Sequence, residues 1–227
     1  MVTAVIFDLD DTLYDELDYC RSGFASVADF LSGLPQTPPA DRIFDSLSQQ
    51  FNAGNHKTTF NAALDDLAIN YDDNLIAQLV ETYRTHVPKI TLPSDSQDVL
   101  NRLSDKFTLA LLTDGFLPAQ QLKVQALGIE KYFNSIVYSE ELGREFWKPS
   151  PVAFEKIIHD LNTTPQNTAC VADNEKKDFI APNNLGCTTI QLIRPNRLHT
   201  KSSSDPHAAA HHIIQNITHL PPLLQNL

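Results

Sequence analysis

The chain has 227 residues, of which 42% are hydrophobic and 20% charged, a composition typical of a globular protein rather than a disordered or membrane-spanning one. Its 28 acidic and 17 basic side chains give a formal net charge of −11, which argues against nucleic acid as a partner because such binding needs many cations. Three scattered cysteines form no CxxC pair, so we expect a cytoplasmic protein without a disulfide framework. We expect no membrane partner, because the sequence has no run of about 18 apolar residues.

Short apolar runs alternate with segments of helical spacing along most of the chain. After a first strand at 4–7, the stretch 15–87 has helical periodicity and few strand signals. Later strands are predicted at 108–112, 135–138, 168–172 and 188–193. Helices are predicted after Ser94, over 117–127, from Pro151, before Gly186 and over 208–217.

Strands that alternate with helices predict an α/β fold, a doubly wound parallel sheet with helices on both faces. The helical stretch after the first strand interrupts this alternation and is predicted to be an insertion. We therefore expect a core domain of residues 1–14 and 90–227, and a helical cap domain of residues 15–89.

Polar side chains follow three of the predicted strands at the point where each strand ends. Asp8 and Asp10 follow the first strand, Thr113 and Asp114 follow the second, and Asp173 follows the strand at 168–172. In an open parallel sheet, ligands bind outside the carboxyl ends of the strands. The convergence of these groups on one edge predicts a functional site there.

Asp8 and Asp10 lie two residues apart, so both are expected to face the same crevice. Two crowded carboxylates need a cation or a shared proton, and Mg²⁺ is the natural cation because no basic group lies in the segment. One carboxylate can then attack phosphorus while the other donates and accepts a proton. The alternative for this run alone is an acidic turn that caps the following segment.

The other polar groups allow a phosphate site, although each has an ordinary alternative. Thr113, Asp114 and Gly115 offer a hydroxyl and backbone N–H groups that can hold phosphate oxygens, or they form a simple turn. Lys148 either points its ammonium at an anion or is a solvated surface residue. Asp173 supplies an acid for a metal, or it caps a helical turn.

Four motifs, taken together and in this order, resemble those of the haloacid dehalogenase superfamily of phosphohydrolases. They are VIFDLDDTLY (5–14), LLTDG (111–115), the lysine of WKPSP (147–151) and VADNEKKDF (171–179). The resemblance covers residues 1–15 and about 88–195. The set of four is far more specific than any one motif alone.

The resemblance implies a role for each catalytic side chain. Asp8 would be the nucleophile that becomes an aspartyl phosphate, and Asp10 would protonate the leaving group and then activate water. Lys148 would neutralise charge on the nucleophile and on the phosphoryl group. Phosphate oxygens would be bound by Thr113, by the N–H groups of Asp114 and Gly115, and by Lys148.

The resemblance also implies a magnesium site. Mg²⁺ would be held by the Asp8 side chain, the Asp10 carbonyl and Asp173, with Asn174 and Asp178 in or beside the second shell of ligands. One departure from the family pattern is Ala172, because glycine usually precedes the acidic residue of the fourth motif.

Two further features bear on the reaction. Family members that attack carbon lack the second aspartate, so Asp10 favours phosphate ester chemistry. The helical insertion resembles the cap of the C1 group, which acts mainly on small phosphorylated metabolites and closes over them.

We therefore predict a Mg²⁺-dependent phosphatase, monomeric or homodimeric, acting on a nucleoside monophosphate or a sugar phosphate. The alternatives are a phosphomutase of the same fold and a non-catalytic binding protein on that fold.

Overall fold

A parallel sheet of six strands organises the structure, a computed structural model that describes all residues from 1 to 227. The strands are β1 (Ala4–Phe7), β2 (Thr108–Thr113), β3 (Ser135–Tyr138), β4 (Thr168–Ala172), β5 (Thr188–Leu192) and β6 (His212–Ile214). They lie in the order β3-β2-β1-β4-β5-β6, and every pairing is parallel. The predicted α/β fold is confirmed, with β1 between β2 and β4.

The chain divides into two units, which we call the core unit (Met1–Leu17 and Thr91–Leu227) and the helical unit (Asp18–Ile90). The first four helices are α1 (Glu16–Ser32), α2 (Ala40–Asn52), α3 (Thr59–Asp66) and α4 (Asp73–Thr85). The remaining helices are α5 (Ser94–Ser104), α6 (Ala119–Leu127), α7 (Val152–Asp160), α8 (Ile180–Leu185) and α9 (Leu220–Leu224). No helix combines the length and the apolar character needed to cross a membrane.

The central strands are buried, as expected for a parallel sheet that has helices on both faces. All four residues of β1 and all five of β4 are buried. Side chains from the sheet and from α7 form one continuous cluster that includes Ile6, Leu112, Phe154 and Ile157. This packing fixes the carboxyl ends of the strands, from which the polar groups of the site extend.

Two glycines end helices where the sequence predicted that they would. Gly128 follows α6 with φ 63°, and Gly186 follows α8 with φ 87°. Both values lie in the left-handed region, which glycine adopts without the steric penalty of a Cβ atom.

The predicted helix over 208–217 is wrong, because part of this segment forms strand β6 at the edge of the sheet. His212–Ile214 pairs with β5, and the alternation of the strand buries Ile214 while leaving Ile213 60% exposed. The run of alanines before it favours a helix locally. Pairing with β5 satisfies backbone groups that an isolated short helix would leave to solvent.

The helical unit is built around aromatic side chains. Phe24 of α1 makes an edge contact with Phe51 of α2, with ring centroids 5.4 Å apart, and also lies against Tyr83 of α4. His86 follows α4, and its Nδ1 lies 2.7 Å from the Tyr83 carbonyl oxygen while its Nε2 lies 3.0 Å from the Ser22 hydroxyl. These contacts join α1 to α4 inside the unit.

Gly23→Ala is expected to destabilise the protein, although alanine normally stabilises a helix by about 0.5–1 kcal/mol relative to glycine. A Cβ atom at Gly23 would overlap the ring of Tyr83. Overpacking of this kind costs roughly 1–3 kcal/mol. The control is Gly33→Ala, because the nearest heavy atom to a Cβ there is 3.4 Å away. Urea unfolding compares the two variants, and a Gly23→Ala protein as stable as the wild type would contradict the expectation.

Candidate active site

The ends of three strands bring the predicted acidic residues and the threonine to one edge of the sheet. Asp8 follows β1, Thr113 ends β2 and Asp173 follows β4, and all three side chains are buried. Carboxylate oxygens of Asp8, Asp173 and Asp178 lie within 4.8 Å of one another. The sequence placed Asp178 beside the site, and the structure places its carboxylate next to those of Asp8 and Asp173.

Lys148 lies between two of these carboxylates. Its Nζ is 2.5 Å from Asp8 Oδ1 and 2.7 Å from Asp178 Oδ1, and its side chain is 2% exposed. Burial alone would lower the pKa of Lys148, but Asp178, Asp8 and Asp114 outweigh it and hold the pKa well above its usual range. The lysine is therefore a fixed cation inside the site and not a solvated surface residue.

Asp173 has the properties expected of a ligand for a hard cation. Burial, together with the nearby charges of Asp8, Asp178 and Asp11, raises the pKa of Asp173 to about 9. Its Oδ2 atom is buried and has no hydrogen-bond partner. The Asp173 carboxylate thus has a free oxygen and needs a positive charge beside it to be ionised. Together with the two neighbouring carboxylates, it fits a divalent ion such as Mg²⁺.

The loop after β4 holds Asp178 in place. The backbone N–H of Asn174 donates to Asp178 Oδ2 at 3.0 Å, and the N–H of Asp178 donates to the Asn174 carbonyl oxygen at 3.0 Å. Although burial would raise the pKa of Asp178, Lys148 and Lys177 lower it. Asn174 thus holds Asp178 through its backbone, while its side-chain Oδ1 accepts from the Lys176 N–H at 3.1 Å.

Thr113 and the residues after it present free donors. Thr113 Oγ1 is buried without a hydrogen-bond partner, and the backbone N–H groups of Asp114 and Gly115 donate no hydrogen bond within the chain. The Asp114 carboxylate accepts hydrogen bonds from Ser139 Oγ at 2.6 Å and from the Lys148 backbone N–H at 3.3 Å. Asp114 thus fastens the loop with its side chain and leaves its backbone for an anion.

Gly115 is required in this loop for a steric reason. Its φ is +147°, and a Cβ atom would overlap the side chain of Gln120. Gln120 packs into the space that the glycine leaves, and its Nε2 donates to the Asp114 carbonyl oxygen at 2.8 Å. The glycine therefore allows α6 to approach the loop after β2 closely.

The carboxylate of Asp10 lies outside the group formed by Asp8, Asp173 and Asp178, so its predicted part in the metal site rests on its carbonyl oxygen. Lys123 Nζ lies 2.8 Å from both of its carboxylate oxygens. Burial would raise the pKa of Asp10, but Lys123 lowers it. The sequence argument that the crowded Asp8 and Asp10 need a cation or a shared proton was therefore incomplete, because two different lysines contact them.

Sequence reasoning missed Lys123 and Gln120, which come from α6. They are three residues apart, and they share the buried face of that helix with Val124 and Leu127. The sequence did contain a signal for Lys123, because this lysine stands at helical spacing from apolar residues that a helix would bury.

The segment after β5 also braces the site, and its residues lie outside the last motif. Arg194 Nε donates to the Thr12 carbonyl oxygen at 2.9 Å, and an Arg197 nitrogen donates to that of Asp173 at 3.2 Å. The Leu198 N–H donates to Asp11 Oδ2 at 2.6 Å. The loops after β1 and β4 are thus held by one common segment.

Comparisons with known proteins point to one family. Residues 5–192 match the family model described as haloacid dehalogenase-like hydrolase. The chain is 28% identical over 202 residues to the glyceraldehyde 3-phosphate phosphatase of Methanopyrus kandleri, covering 86% of this chain and 85% of that protein. It is 27% identical over 242 residues to the N-acylneuraminate-9-phosphatase of Homo sapiens, covering 100% and 95% of the two chains.

Among solved structures, a putative beta-phosphoglucomutase from Thermotoga maritima has a similar fold, with a TM-score of 0.72 over 100% of both chains. At 18% identity, this likeness concerns the fold alone. The family model, in contrast, spans most of the sequence, including all four motifs. This chain therefore belongs to the haloacid dehalogenase-like hydrolases.

Proposed function

We propose that the protein is a Mg²⁺-dependent phosphatase that hydrolyses a small phosphomonoester through a phosphorylated aspartate. The observation that carries this proposal is the position of Lys148, whose ammonium lies 2.5 Å from Asp8 in a site with an unpartnered Thr113 hydroxyl. A carboxylate, a fixed cation and free donors at one sheet edge are what phosphoryl transfer requires, since it depends mostly on positioning and charge neutralisation.

The chemistry has two steps. A carboxylate oxygen of Asp8 attacks phosphorus and the bond from phosphorus to the ester oxygen breaks. Asp10, which takes up a proton from the phosphomonoester monoanion when it binds, passes that proton to the departing alcohol. Water then attacks the phosphorus of the aspartyl phosphate and gives a proton to Asp10. The bond from phosphorus to the Asp8 oxygen breaks, so inorganic phosphate is released and the Asp8 carboxylate is restored. Thr113 and the N–H groups of Asp114 and Gly115 would hold the phosphoryl oxygens throughout.

The residues suited to hold Mg²⁺ are Asp8 and Asp173 through their carboxylates and Asp10 through its carbonyl oxygen. When bound, the ion supplies positive charge that offsets the acidic residues and the phosphoryl group. Lys148 contributes fixed charge beside Asp8, and Asp178 keeps that lysine in place at 2.7 Å.

The names of the relatives bear on the substrate. They are phosphatases of glyceraldehyde 3-phosphate, N-acylneuraminate 9-phosphate and ribulose 1,5-bisphosphate. These names favour a phosphorylated sugar or sugar acid over a nucleoside monophosphate as the substrate of this chain. The helical unit, Asp18–Ile90, would be the inserted cap domain.

The test is phosphate release from a panel of sugar phosphates, sugar acid phosphates, nucleoside monophosphates and 4-nitrophenyl phosphate, with Mg²⁺ or with EDTA. We expect release that depends on Mg²⁺ and is fastest with a sugar phosphate. Absence of release from every ester, in a folded protein that binds Mg²⁺, would overturn the proposal. Accumulation of an isomerised sugar phosphate without free phosphate would identify a mutase instead.

Asp173→Asn is expected to raise the Mg²⁺ concentration needed for half-maximal activity by at least about 30-fold, because it removes a charged oxygen ligand. Mg²⁺ should also raise the melting temperature of the wild type and much less that of the variant. Glu175→Gln is the matched control, since the Glu175 carboxylate accepts from the Ser203 N–H and lies outside the carboxylate group. An unchanged Mg²⁺ requirement in Asp173→Asn would contradict the assigned metal site.

A further inference from the structure

The carboxylate of Asp10 is held by four hydrogen bonds from three side chains. Oδ1 accepts from the Tyr14 hydroxyl at 2.5 Å and from Lys123 Nζ at 2.8 Å. Oδ2 accepts from Gln120 Nε2 at 3.1 Å and from Lys123 Nζ at 2.8 Å. Both oxygens are therefore fixed, and the plane of the carboxylate is set by a lysine that contacts both of them.

Lys123 is buried, which is unusual for a lysine. Its side chain is 4% exposed, on the face of α6 that also buries Val124 and Leu127. Removing a lysine and a carboxylate from water is expensive, and well-packed apolar residues in their place are often as stable or more stable. The stability of the fold therefore does not explain the ion pair between Lys123 and Asp10, whereas the proposed role of Asp10 in proton transfer does.

Gln120 connects the same carboxylate to the loop after β2 that carries Asp114 and Gly115. Its Nε2 donates both to Asp10 Oδ2 and, at 2.8 Å, to the carbonyl oxygen of Asp114. The helix α6 begins at Ala119, shortly after that loop. Helix α6 thus fixes the position of the Asp10 carboxylate, which transfers the proton, relative to the donors that hold the phosphoryl group.

We infer that Lys123, assisted by Gln120, is a positioning residue that orients Asp10 for proton transfer. Proton transfer needs the carboxylate within hydrogen-bond reach of the ester oxygen in the first step and of the attacking water in the second. Small misplacements of reacting groups cost large factors in rate. Asp10 stands on a loop, so its orientation depends on these partners. The inference rests on the proposed function, because the proton transfer belongs to that reaction.

A double-mutant cycle with Asp10 separates positioning from general structural support. The rate measured is single-turnover release of inorganic phosphate from 4-nitrophenyl phosphate. Its leaving group needs little protonation, so the aspartyl phosphate forms even in Asp10→Asn, and phosphate release reports the second step, in which Asp10 accepts a proton from water. Lys123→Met should slow release about 30-fold in the wild-type background, a fraction of the 10²–10⁴ that acid–base catalysis typically contributes. In the Asp10→Asn background the same change should cost less than about 3-fold.

The KM and a matched pair of glutamine variants supply the controls. KM should change less than about 3-fold in Lys123→Met, because the groups that bind phosphate are untouched. Gln120→Leu should slow the wild type more than it slows Asp10→Asn, since only its bond to the Asp114 carbonyl oxygen is lost in both backgrounds. The Gln121 amide lies 3.4 Å from Glu141 instead, and Gln121→Leu should be neutral. The glutamine pair also serves if Lys123→Met fails to fold.

Equal losses in both backgrounds would overturn the inference, since they would mean that α6 only supports the fold. An unchanged wild-type rate in both Lys123→Met and Gln120→Leu would overturn it as well. A wild-type protein without turnover would instead overturn the proposed function, so the two failures are distinguishable.

Discussion

Asp8→Asn is expected to lower phosphate release by at least about 10³-fold, because an amide is a very poor nucleophile towards phosphorus. The substitution keeps the size and shape of the side chain. The variant should remain folded, since it removes one of three acidic groups whose oxygens lie within 4.8 Å of one another. Steady-state release from the best ester of the panel, with Mg²⁺ present, measures the effect.

The same variant tests the covalent step directly. Wild-type protein quenched in acid during turnover should carry one phosphoryl group on the peptide that contains Asp8, and hydroxylamine should convert it to a hydroxamate. Neither product should form in Asp8→Asn. Asp65→Asn, on the exposed surface of the helical unit, is the control for handling and should behave like the wild type. Turnover by Asp8→Asn within about tenfold of the wild type would rule out the assigned nucleophile.

The fold and the centre of the site were predictable because local patterns determine them. Apolar runs ending in acid mark β1 and its loop, and Thr113 and Asp173 follow strands that can be recognised in the same way. The carboxyl ends of parallel strands meet at one edge, so the convergence of these groups follows from strand order and direction. Lys148 stood out only as part of the four motifs together, since a lone lysine is usually solvated.

Helical spacing could have marked Lys123 as a buried lysine, but its contact with Asp10 was not predictable from local patterns. Lys123 and Gln120 belong to a helix whose approach to the loop after β1 depends on tertiary packing and on the missing side chain of Gly115. Arg197 reaches Asp173 from a segment with no recognisable motif. At the edge of the sheet, the local preference of an alanine run for helix was overridden by pairing with β5.

Lys148→Met should lower kcat roughly 10²- to 10³-fold, the usual loss when a preorganised charge is removed from a transition state. It should also destabilise the fold, because Asp8 and Asp178 would face each other without their shared cation. Breaking a buried ion pair by removing one partner costs about 3–5 kcal/mol. Urea unfolding and steady-state kinetics measure the two effects on the same preparation.

The matched control is Lys156→Met, which removes an ion pair as long as that of Lys148 with Asp178 but in a different environment. Lys156 Nζ lies 2.7 Å from Asp160 Oδ2, but its side chain is 45% exposed, so water can replace the lost partner. We expect this variant to match the wild type in stability and activity. If Lys156→Met were as destabilising as Lys148→Met, burial would not be the cause of the difference.

Activity and stability can then be separated by removing Asp178 as well. The double variant Lys148→Met/Asp178→Asn deletes the cation together with one of the two carboxylates that it serves, so much of the lost stability should return. Activity should not return, because Asp8 and the phosphoryl group would still lack the ammonium that lies 2.5 Å from Asp8 in the wild type. Recovery of phosphate release in the double variant would mean that Lys148 serves only to balance Asp178, and its catalytic role would have to be withdrawn.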